Sequence, residues 1–204
     1  MNLVVIDYGA GNLRSVAKAF ASLGQEPTVT SSPSALSRAD AVVLPGVGAA
    51  GDTMRSLERL GLIEPIRRYV ASGRPFFGVC LGMQVLFSTS EEGGEQPCLG
   101  LVPGRVRRLP PGLKVPHMGW NQVRQLRRHP LYADIADESY FYFVHSYYCE
   151  PEDASVAIGE TLYGVPFCSV LARDNIVATQ FHPEKSADVG LRLYRNFLEM
   201  AASG

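Results

Sequence analysis

Hydrophobic positions in the first part of the chain alternate between two periods. Leu3–Ile6 is a continuous apolar run, typical of a strand that is buried on both faces of a parallel sheet. The apolar residues that follow recur at helical spacing: Leu13, Val16, Ala17, Phe20 and Leu23. Asn12 is positioned to cap this helix, and Gly24 to end it. The pattern predicts a strand followed by an amphipathic helix.

The same alternation continues to the fourth predicted strand. Further strands are predicted at Pro27–Thr30, Ala41–Leu44 and Arg74–Val79. Between them we expect a short helix at Ser34–Arg38 and a helical region over Thr53–Ser72, interrupted near Pro65. The resulting βαβαβαβ order indicates a doubly wound α/β sheet.

The second half of the chain has a different pattern. After a predicted helix at Leu81–Ser88, six short strands are predicted: Gly104–Leu109, Asn121–Leu126, Tyr140–His145, Ala154–Gly159, Phe167–Ala172 and Ile176–Phe181. The apolar residues Leu191, Leu193, Tyr194, Phe197 and Leu198 then indicate a closing amphipathic helix. This half is expected to add antiparallel strands to the sheet. No change of composition marks a linker, so residues 1–204 are expected to form a single domain.

Composition restricts the classes of partner. The chain has 204 residues, 46% of them hydrophobic, and 19 Lys and Arg against 20 Asp and Glu, which gives a net charge of −1. No basic field is available to bind nucleic acid or a membrane surface. The longest apolar runs, such as Pro75–Cys80, fall far short of a membrane span, and Met1–Asp7 shows no basic leader. Four scattered cysteines do not make a disulfide scaffold. A cytoplasmic location is expected.

One cysteine lies where a buried strand meets a helix. Residues 74–84 read Arg-Pro-Phe-Phe-Gly-Val-Cys-Leu-Gly-Met-Gln, so Cys80 stands between Gly78 and Gly82. This is the G-x-nucleophile-x-G elbow, in which a side chain at either glycine would collide with a neighbouring element. The dipole and free N–H groups of the following helix favour a thiolate. Cys80 is therefore the candidate nucleophile.

A cysteine nucleophile requires a general base, and the base requires an acid that orients it. Of the four histidines, His182 follows a predicted strand as His182-Pro183-Glu184. In α/β sheets the reactive groups gather at the carboxyl ends of strands, where Cys80 also lies. With Pro183 holding the backbone extended, His182 and Glu184 would project to the same side. The carboxylate could then hold one imidazole nitrogen while the other faces the sulfur.

A glycine-rich loop, Leu44-Pro45-Gly46-Val47-Gly48, directly follows the third predicted strand. A tetrahedral intermediate needs two aimed N–H donors, one from the residue after the nucleophile and one from a neighbouring loop. The N–H of Leu81 and an amide of this loop fit those two places. The same pattern is also compatible with an ordinary tight turn.

Two other patterns suggest cofactor sites, but their spacing argues against them. Residues 9–14 follow the first strand as a dinucleotide fingerprint would, yet Arg14 stands where the third glycine belongs. His182-Pro183-Glu184 has the H-x-E spacing of zinc deaminases but lacks the downstream P-C-x-x-C. Neither nicotinamide nor zinc is expected.

Taken together, three stretches resemble the class I (triad) glutamine amidotransferases: Gly-Val-Cys-Leu-Gly-Met-Gln at residues 78–84, Pro-Gly-Val-Gly at 45–48, and Gln-Phe-His-Pro-Glu-Lys-Ser at 180–186. Within that class, four stretches are similar to the glutaminase subunits of imidazole glycerol phosphate synthases: Ile6–Ser15, Leu44–Gly48, His117–Asn121 and Phe143–Tyr147. The resemblance extends from Ile6 to Ser186 and shows no departure at a motif position.

The resemblance implies a flavodoxin-like, three-layer α/β domain that hydrolyses L-glutamine to glutamate and ammonia. Cys80 would attack the carboxamide, His182 would protonate the ammonia and later activate water, and Glu184 would orient His182. Val47 and Leu81 would supply backbone donors to the oxyanion. The residues expected to hold glutamine are Gly46, Gln84, Glu92, Ser146 and Tyr147. Neither a cofactor nor a metal is implied.

The resemblance also implies a partner. Ammonia would pass to a separate (β/α)₈ cyclase subunit in histidine biosynthesis, so that the two chains form a heterodimer. Trp120, Tyr142 and Lys185 match positions that face the cyclase in the family. The alternatives left open are the glutaminase of another synthase, of the pyridoxal phosphate or anthranilate type, a cysteine-elbow hydrolase or protease, and a non-catalytic binding domain.

Overall fold

A computed structural model describes residues 1–9 and 11–203, so Ala10, within the motif Ile6–Ser15, lies outside the described residues. The strands are β1 (Leu3–Ile6), β2 (Thr28–Thr30), β3 (Ala41–Gly46), β4 (Phe76–Cys80), β5 (Phe87–Ser90), β6 (Gln96–Pro97), β7 (Val102–Arg108), β8 (His117–Gln125), β9 (Ser139–His145), β10 (Tyr147–Pro151), β11 (Ala157–Tyr163), β12 (Val165–Arg173) and β13 (Ile176–Thr179). The α-helices are α1 (Leu13–Ser22), α2 (Pro33–Ser37), α3 (Ala50–Arg59), α4 (Ile63–Ala71), α5 (Leu81–Gln84) and α6 (Ala187–Ser203). Three short 3₁₀ turns lie at Pro130–Tyr132, Ala154–Val156 and Pro183–Lys185.

The parallel part of the sheet has the strand order β2-β1-β3-β4-β13. All four of these pairings are parallel. This is the 2-1-3-4-5 order of flavodoxin-like folds, so the predicted fold class is confirmed. β4 and β13 are neighbours in register, with Val79 opposite Thr179. The segments that follow these two strands, which carry Cys80 and His182, therefore begin side by side.

The antiparallel strands extend the sheet beyond β13, as predicted. β12 pairs antiparallel with β13, β10 and β11, and β10 pairs antiparallel with β7. A branch leads from β11 through β8 to β9. β5 departs from the pattern because it joins the far edge parallel to β7.

Helices cover both faces of the parallel strands, which explains why these strands are apolar throughout. In β1, Val4 and Ile6 belong to a core that includes Leu57 of α3 and Ile66 of α4. Leu3 and Val5 face the opposite layer, whose core includes apolar residues of α1 and α6: Val16, Phe20, Leu193, Tyr194 and Phe197. The three-layer arrangement thus follows from burial on both faces of the sheet.

The predicted ends of two helices differ from those in the structure. The helix predicted at Leu81–Ser88 ends at Gln84, and Phe87 begins the strand β5. A short apolar run does not distinguish a helix from a buried strand. The break predicted near Pro65 lies between α3 and α4, at residues 60–62. Pro65 is tolerated inside the first turn of α4 because N–H groups there have no partner within the helix.

The remaining differences concern strand limits. Of the strand predicted at Ala154–Gly159, the first three residues form a 3₁₀ turn, and the strand predicted at Ile176–Phe181 ends at Thr179. The short strands β5, β6 and β10 are absent from the sequence prediction. Among the described residues, no helix combines the length and the apolar composition that a membrane crossing requires.

Candidate active site

Cys80 occupies the strained elbow that its flanking glycines predict. Its backbone has φ 54° and ψ −110°, a conformation that costs energy for a residue with a side chain. A Cβ at Gly82 would lie 1.8 Å from the carbonyl oxygen of Leu44, and one at Gly78 would lie 2.8 Å from that of Gly82. Both positions therefore require glycine, and close packing of backbone against backbone holds the elbow in place.

β3 continues to Gly46, two residues beyond the predicted end of this strand, so the glycine-rich loop begins only at Val47. Gly46 pairs with Cys80 in the sheet. A Cβ on Gly46 would lie 2.7 Å from the nitrogen of Gly82 and 2.7 Å from the Cβ of Leu81. Only glycine allows this approach, which brings Val47 beside the first turn of α5. Val47 and Leu81 line the same pocket as Cys80.

His182 and Glu184 are in direct contact. His182 Nδ1 lies 2.7 Å from Glu184 Oε1, and their side chains are 1% and 0% exposed. The sequence suggested an extended backbone between the two residues. In the structure this backbone instead turns at the 3₁₀ segment Pro183–Lys185. Ser186 holds this turn, since its hydroxyl donates to the His182 carbonyl at 2.7 Å.

Two further side chains bind Glu184, and sequence reasoning did not identify either as part of the site. Asn12 donates its side-chain amide to Glu184 Oε1, and the Tyr194 hydroxyl donates to Oε2 at 3.0 Å. Asn12 stands at the start of α1 as predicted, but its side chain makes no cap hydrogen bond. Tyr194 is fully buried, packed against Phe20 and Phe77. Glu184 is thus held by three donors: Asn12, His182 and Tyr194.

The electrostatics of this cluster favour an ionised His182–Glu184 pair. Burial alone would lower the pKa of His182, but the negative charges of Cys80 and Glu184 and the hydrogen bond to Glu184 outweigh burial and raise it. Burial would raise the pKa of Glu184, but the hydrogen bond and charge of His182, with the Tyr194 hydroxyl, lower it. His182 Nε2 is buried without a hydrogen-bond partner in the described structure. That nitrogen is therefore available for a reacting group.

A pocket of about 390 Å³ contains most of the residues singled out from the sequence. It is lined by Val47, Cys80, Leu81, Gln84, Glu92, Ser146, Tyr147, His182 and Lys185, together with Gly48, Pro116, Val144 and His145. Gly46 lies in the strand beside the pocket, and Glu184 lies behind His182. Glu92 also accepts the N–H of Ala50 at 2.7 Å, which attaches it to the start of α3.

A chain of side-chain amides leads from the sulfur to the far wall of this pocket. Gln180 Nε2 lies 3.8 Å from Cys80 Sγ, and Gln180 Oε1 accepts from Gln84 Nε2 at 3.1 Å. Gln84 Nε2 also donates to the carbonyl of Tyr147 at 2.8 Å. Gln180 is fully buried. The sequence shows it only as the first letter of the Gln-Phe-His-Pro-Glu motif.

Trp120, Tyr142 and Lys185 form a cluster at the edge of the site. Trp120 lies opposite Tyr142 across β8 and β9, with ring centroids 6.1 Å apart, and Lys185 Nζ lies 6.0 Å from the Tyr142 ring. Trp120 is 52% exposed. The Tyr142 carbonyl accepts the N–H of His182 at 3.0 Å, and the Tyr142 N–H donates to Ser186 Oγ at 3.0 Å. This exposed cluster is thus attached directly to the backbone of His182.

The other three cysteines lie in a different environment. Burial, with a contribution from the charge of Glu92, raises the pKa of Cys98 to about 11. Burial also raises the pKa of Cys149, and that of Cys168 to about 12. None of the three stands at a strand-to-helix elbow. Within residues 1–9 and 11–203, no group of three or more His, Cys, Asp or Glu side chains is arranged to hold a metal ion.

Comparison with known proteins identifies the family. The family model of class I glutamine amidotransferases matches residues 4–201. The imidazole glycerol phosphate synthase subunit HisH of Dehalococcoides mccartyi (strain CBDB1) is 52% identical over 199 residues, covering 98% of this chain and 97% of the relative. HisH of Geobacter sulfurreducens is 52% identical over 205 residues, covering 97% of this chain and 98% of the relative.

Solved structures agree on the fold at low sequence identity. A crystal structure of a glutamine amidotransferase has a TM-score of 0.78 at 22% identity, covering 98% of both chains. A chain from the structure of PurLQS from Thermotoga maritima has a TM-score of 0.75 at 16% identity, again covering 98% of both chains.

Proposed function

Because this chain belongs to the class I glutamine amidotransferases, and among them to the HisH subunits of imidazole glycerol phosphate synthases, we propose that Cys80, His182 and Glu184 form its catalytic triad for the hydrolysis of L-glutamine. The observation that carries the proposal is the convergence of the elbow cysteine with a buried His182–Glu184 pair at one pocket. The three groups supply the nucleophile, the proton carrier and the acid that orients it.

Cys80 attacks the side-chain carbonyl carbon of glutamine as a thiolate, forming a tetrahedral intermediate. His182 then delivers the proton on Nε2 to the departing nitrogen, so that ammonia leaves and a thioester remains. Water attacks the thioester while His182 accepts its proton. Collapse of this second intermediate releases glutamate and restores the thiolate. The raised pKa of His182 favours the imidazolium with which this cycle starts.

Both intermediates carry an oxyanion that needs aimed donors. The N–H of Leu81 belongs to the first turn of α5, where N–H groups have no partner within the helix. The N–H of Val47, brought close by Gly46, supplies the second donor. Two backbone donors of this kind contribute roughly 10²–10³-fold each to the rate.

The rest of the pocket holds the amino-acid part of the substrate. The Glu92 carboxylate complements the α-ammonium group of glutamine. Gln84, Gly46 and the Ser146–Tyr147 backbone fix the position of the remaining polar groups. Catalysis by these side chains requires neither a cofactor nor a metal.

The ammonia is passed to a separate cyclase subunit with a (β/α)₈ barrel, with which the chain forms a heterodimer for histidine biosynthesis. Trp120, Tyr142 and Lys185 form the contact nearest the site. Two hydrogen bonds of the Tyr142 backbone to the segment His182–Ser186 support this assignment, because a change at the interface would reach His182 directly. We place the reaction in the cytoplasm, in a single domain of residues 1–204.

The decisive experiment compares two nitrogen sources in the complex of this chain with its cyclase. With Cys80→Ala, we expect glutamine-dependent synthesis of imidazole glycerol phosphate to be abolished and ammonium-dependent synthesis to continue, because the cyclase chemistry lies on the other chain. The matched control is Cys98→Ala, which removes a buried thiol outside the elbow and should leave both rates unchanged. Substantial glutaminase activity in Cys80→Ala would contradict the triad.

The same assay tests the partner. Glutamine hydrolysis should rise when the cyclase and its ribotide ligand are added, and Trp120→Ala should reduce this stimulated rate more than the basal rate. An isolated chain that already hydrolyses glutamine at the rate of the liganded complex would contradict the proposed coupling. Stimulation by a different synthase in place of the cyclase would favour the pyridoxal phosphate or anthranilate alternative.

A further inference from the structure

Two buried histidines outside the triad form a continuous hydrogen-bonded chain that ends at the pocket. His117 and His145 lie opposite each other across β8 and β9, and His117 Nδ1 is 2.9 Å from His145 Nε2. The other nitrogen of His145, Nδ1, is 2.9 Å from the carbonyl oxygen of Tyr147. The other nitrogen of His117, Nε2, is 3.3 Å from the side-chain amide nitrogen of Asn121.

The hydrogen-bonding groups at the two ends determine the position of every proton in this series of hydrogen bonds. The Tyr147 carbonyl only accepts, so His145 carries its proton on Nδ1 and its Nε2 accepts. His117 must then donate from Nδ1, which leaves its Nε2 as an acceptor. Asn121 Nδ2 donates to that nitrogen and to the carbonyl of Leu162 at 3.1 Å, and Asn121 Oδ1 accepts the N–H of Gln122 at 2.8 Å. All donors therefore point in one direction, from Asn121 to Tyr147.

This arrangement requires both rings to be neutral. Burial lowers the pKa of His117 to about 4. Burial also lowers the pKa of His145 to about 3. The hydrogen bond to Tyr147 acts to raise this pKa, and the charges of His117 and His182 lower it further. Two ionisable groups on neighbouring elements face the two rings. Tyr163 of β11 stacks on His117, and His182, which follows β13, acts on His145 through its charge. Their aromatic neighbours in β9 and β12 are Phe143 and Phe167.

This series of hydrogen bonds ends at the Ser146–Tyr147 backbone, which binds glutamine in the proposed function. His145 itself lines the pocket. The Tyr147 carbonyl accepts from both His145 and Gln84, so the peptide after Tyr147 is held from two sides. We propose that Asn121, His117 and His145 are positioning residues, a relay of fixed direction that orients the Ser146–Tyr147 backbone for glutamine binding. This proposal rests on the glutaminase function proposed above.

Asn121→Asp tests the direction of the relay with almost no change of shape. An ionised carboxylate at position 121 cannot donate to His117, so a neutral His117 would carry its proton on Nε2 and accept from His145 Nε2. His145 could then no longer donate to the Tyr147 carbonyl, which would keep only the hydrogen bond from Gln84. We expect the KM for glutamine to rise about tenfold at pH 8, the effect of losing one buried hydrogen bond, with a smaller change in kcat. The matched control is Gln122→Glu, the same exchange of amide for carboxylate at the next residue, whose side chain is exposed.

The pH dependence separates this role from a general loss of packing. The introduced carboxylate would raise the pKa of His117, and an imidazolium donates from both nitrogens. Protonation of His117 would therefore satisfy the carboxylate and restore the donor to His145. Measured in the complex with the cyclase, the ratio of the Asn121→Asp KM to the wild-type KM should fall towards one between pH 8 and pH 6. A ratio that stays constant over this range would overturn the relay.

Imidazole ¹⁵N chemical shifts of the wild-type chain report the proton positions directly. This measurement needs no variant, so it remains possible if Asn121→Asp fails to fold. His117 and His145 should both be in the Nδ1–H form. His129 provides an internal control, because its Nδ1 accepts the N–H of Leu131 and its proton must lie on Nε2. An Nε2–H form at either relay histidine would overturn the proposal. Wild-type protein without glutaminase activity would overturn the proposed function and the relay together, whereas normal activity with a constant KM ratio would overturn the relay alone.

Discussion

His182 and His145 border the same pocket and are both almost fully enclosed, 1% and 6% exposed, yet the structure favours opposite charges on them. The pKa of His182 is raised, whereas that of His145 is lowered to about 3. The difference lies in the partners. His182 has a carboxylate on one nitrogen and the sulfur of Cys80 in front of the other. His145 has a backbone carbonyl and the neutral ring of His117.

Burial alone therefore does not decide the charge of a histidine here. Desolvation acts on both rings in the same direction, and only a neighbouring negative charge overcomes it. The carboxylate of Glu184 can exert this effect because its own ionised form is stabilised by Asn12, Tyr194 and His182. The proton-carrying pair thus depends on residues that never touch the substrate.

The largest effect should come from removing the charge that distinguishes the two histidines. Glu184→Gln keeps the size of the side chain but no longer stabilises an imidazolium, so the pKa of His182 should fall. We expect kcat for glutamine hydrolysis to fall roughly 10²–10⁴-fold with little change in KM. Glu160→Gln is the matched control, since Glu160 pairs with Arg124 at the surface. A normal kcat in Glu184→Gln would reduce Glu184 to a structural residue.

Asn12→Asp should produce the next largest effect, by placing a like charge against Glu184. Asp starts a helix as well as Asn and also tolerates the left-handed backbone found here, with φ 73°. Helix α1 should therefore persist while the Glu184 carboxylate is repelled and its pKa rises. We expect kcat to fall about 10²-fold, the effect of losing a hydrogen bond to a buried charge. Asn12→Asp with unchanged kcat and circular dichroism would contradict the role assigned to this contact.

The importance of Asn12 illustrates the limit of sequence reasoning. The elbow at Cys80 and the His182–Glu184 pair are predictable because each is a local pattern: glycines beside a strained turn, and two residues of one short segment. Asn12 is 172 positions from Glu184, and its type equally suits a helix cap, so nothing local indicates the contact. Tyr194 is recognisable from the sequence only as an apolar residue of the closing helix.

The relay histidines illustrate the same limit in the sheet. His117 and His145 meet because β8 and β9 pair in one particular register, and a shift by one residue would turn the side chains to opposite faces. The parallel half of the fold is predictable because strands buried on both faces are continuous apolar runs. The short strands β5, β6 and β10 lack that signature, and pairing with neighbours rather than their own composition makes them strands.

The opposite charges of the two histidines predict opposite slopes of stability with pH. The folded pKa of His145 lies below the unfolded value of about 6.5, so as the pH falls below 6.5 the unfolded chain takes up a proton that the folded chain does not, and stability falls. The same holds for His117 and His129, whose pKa values are also lowered. The folded pKa of His182 is raised, so its contribution is complete below about 6.5 and is lost as the pH rises. Stability should therefore be greatest near pH 6.5.

Urea unfolding between pH 5 and pH 8 measures both slopes. Each neutral buried histidine of the relay should cost roughly 2 kcal/mol of unfolding free energy between pH 6.5 and pH 5. The double variant His117→Asn, His145→Gln should reduce the slope of this acid limb to the part that belongs to His129 and leave the alkaline limb, which belongs to His182. Retention of the full acid limb in the double variant would show that these rings are not held neutral.

Tyr194→Phe should have the smallest effect, because it removes one of three donors to Glu184 and keeps the ring that packs against Phe20 and Phe77. Loss of this bond should raise the pKa of Glu184 and weaken its hold on the His182 imidazolium, lowering kcat about tenfold. The control is Tyr69→Phe, which also removes a buried hydroxyl, one that donates to the carbonyls of Asp40 and Pro75 far from the triad. Both variants should lose similar stability in urea, but only Tyr194→Phe should lose kcat. If kcat falls equally in the two variants, the effect is one of general stability, and the three-donor support of Glu184 is wrong.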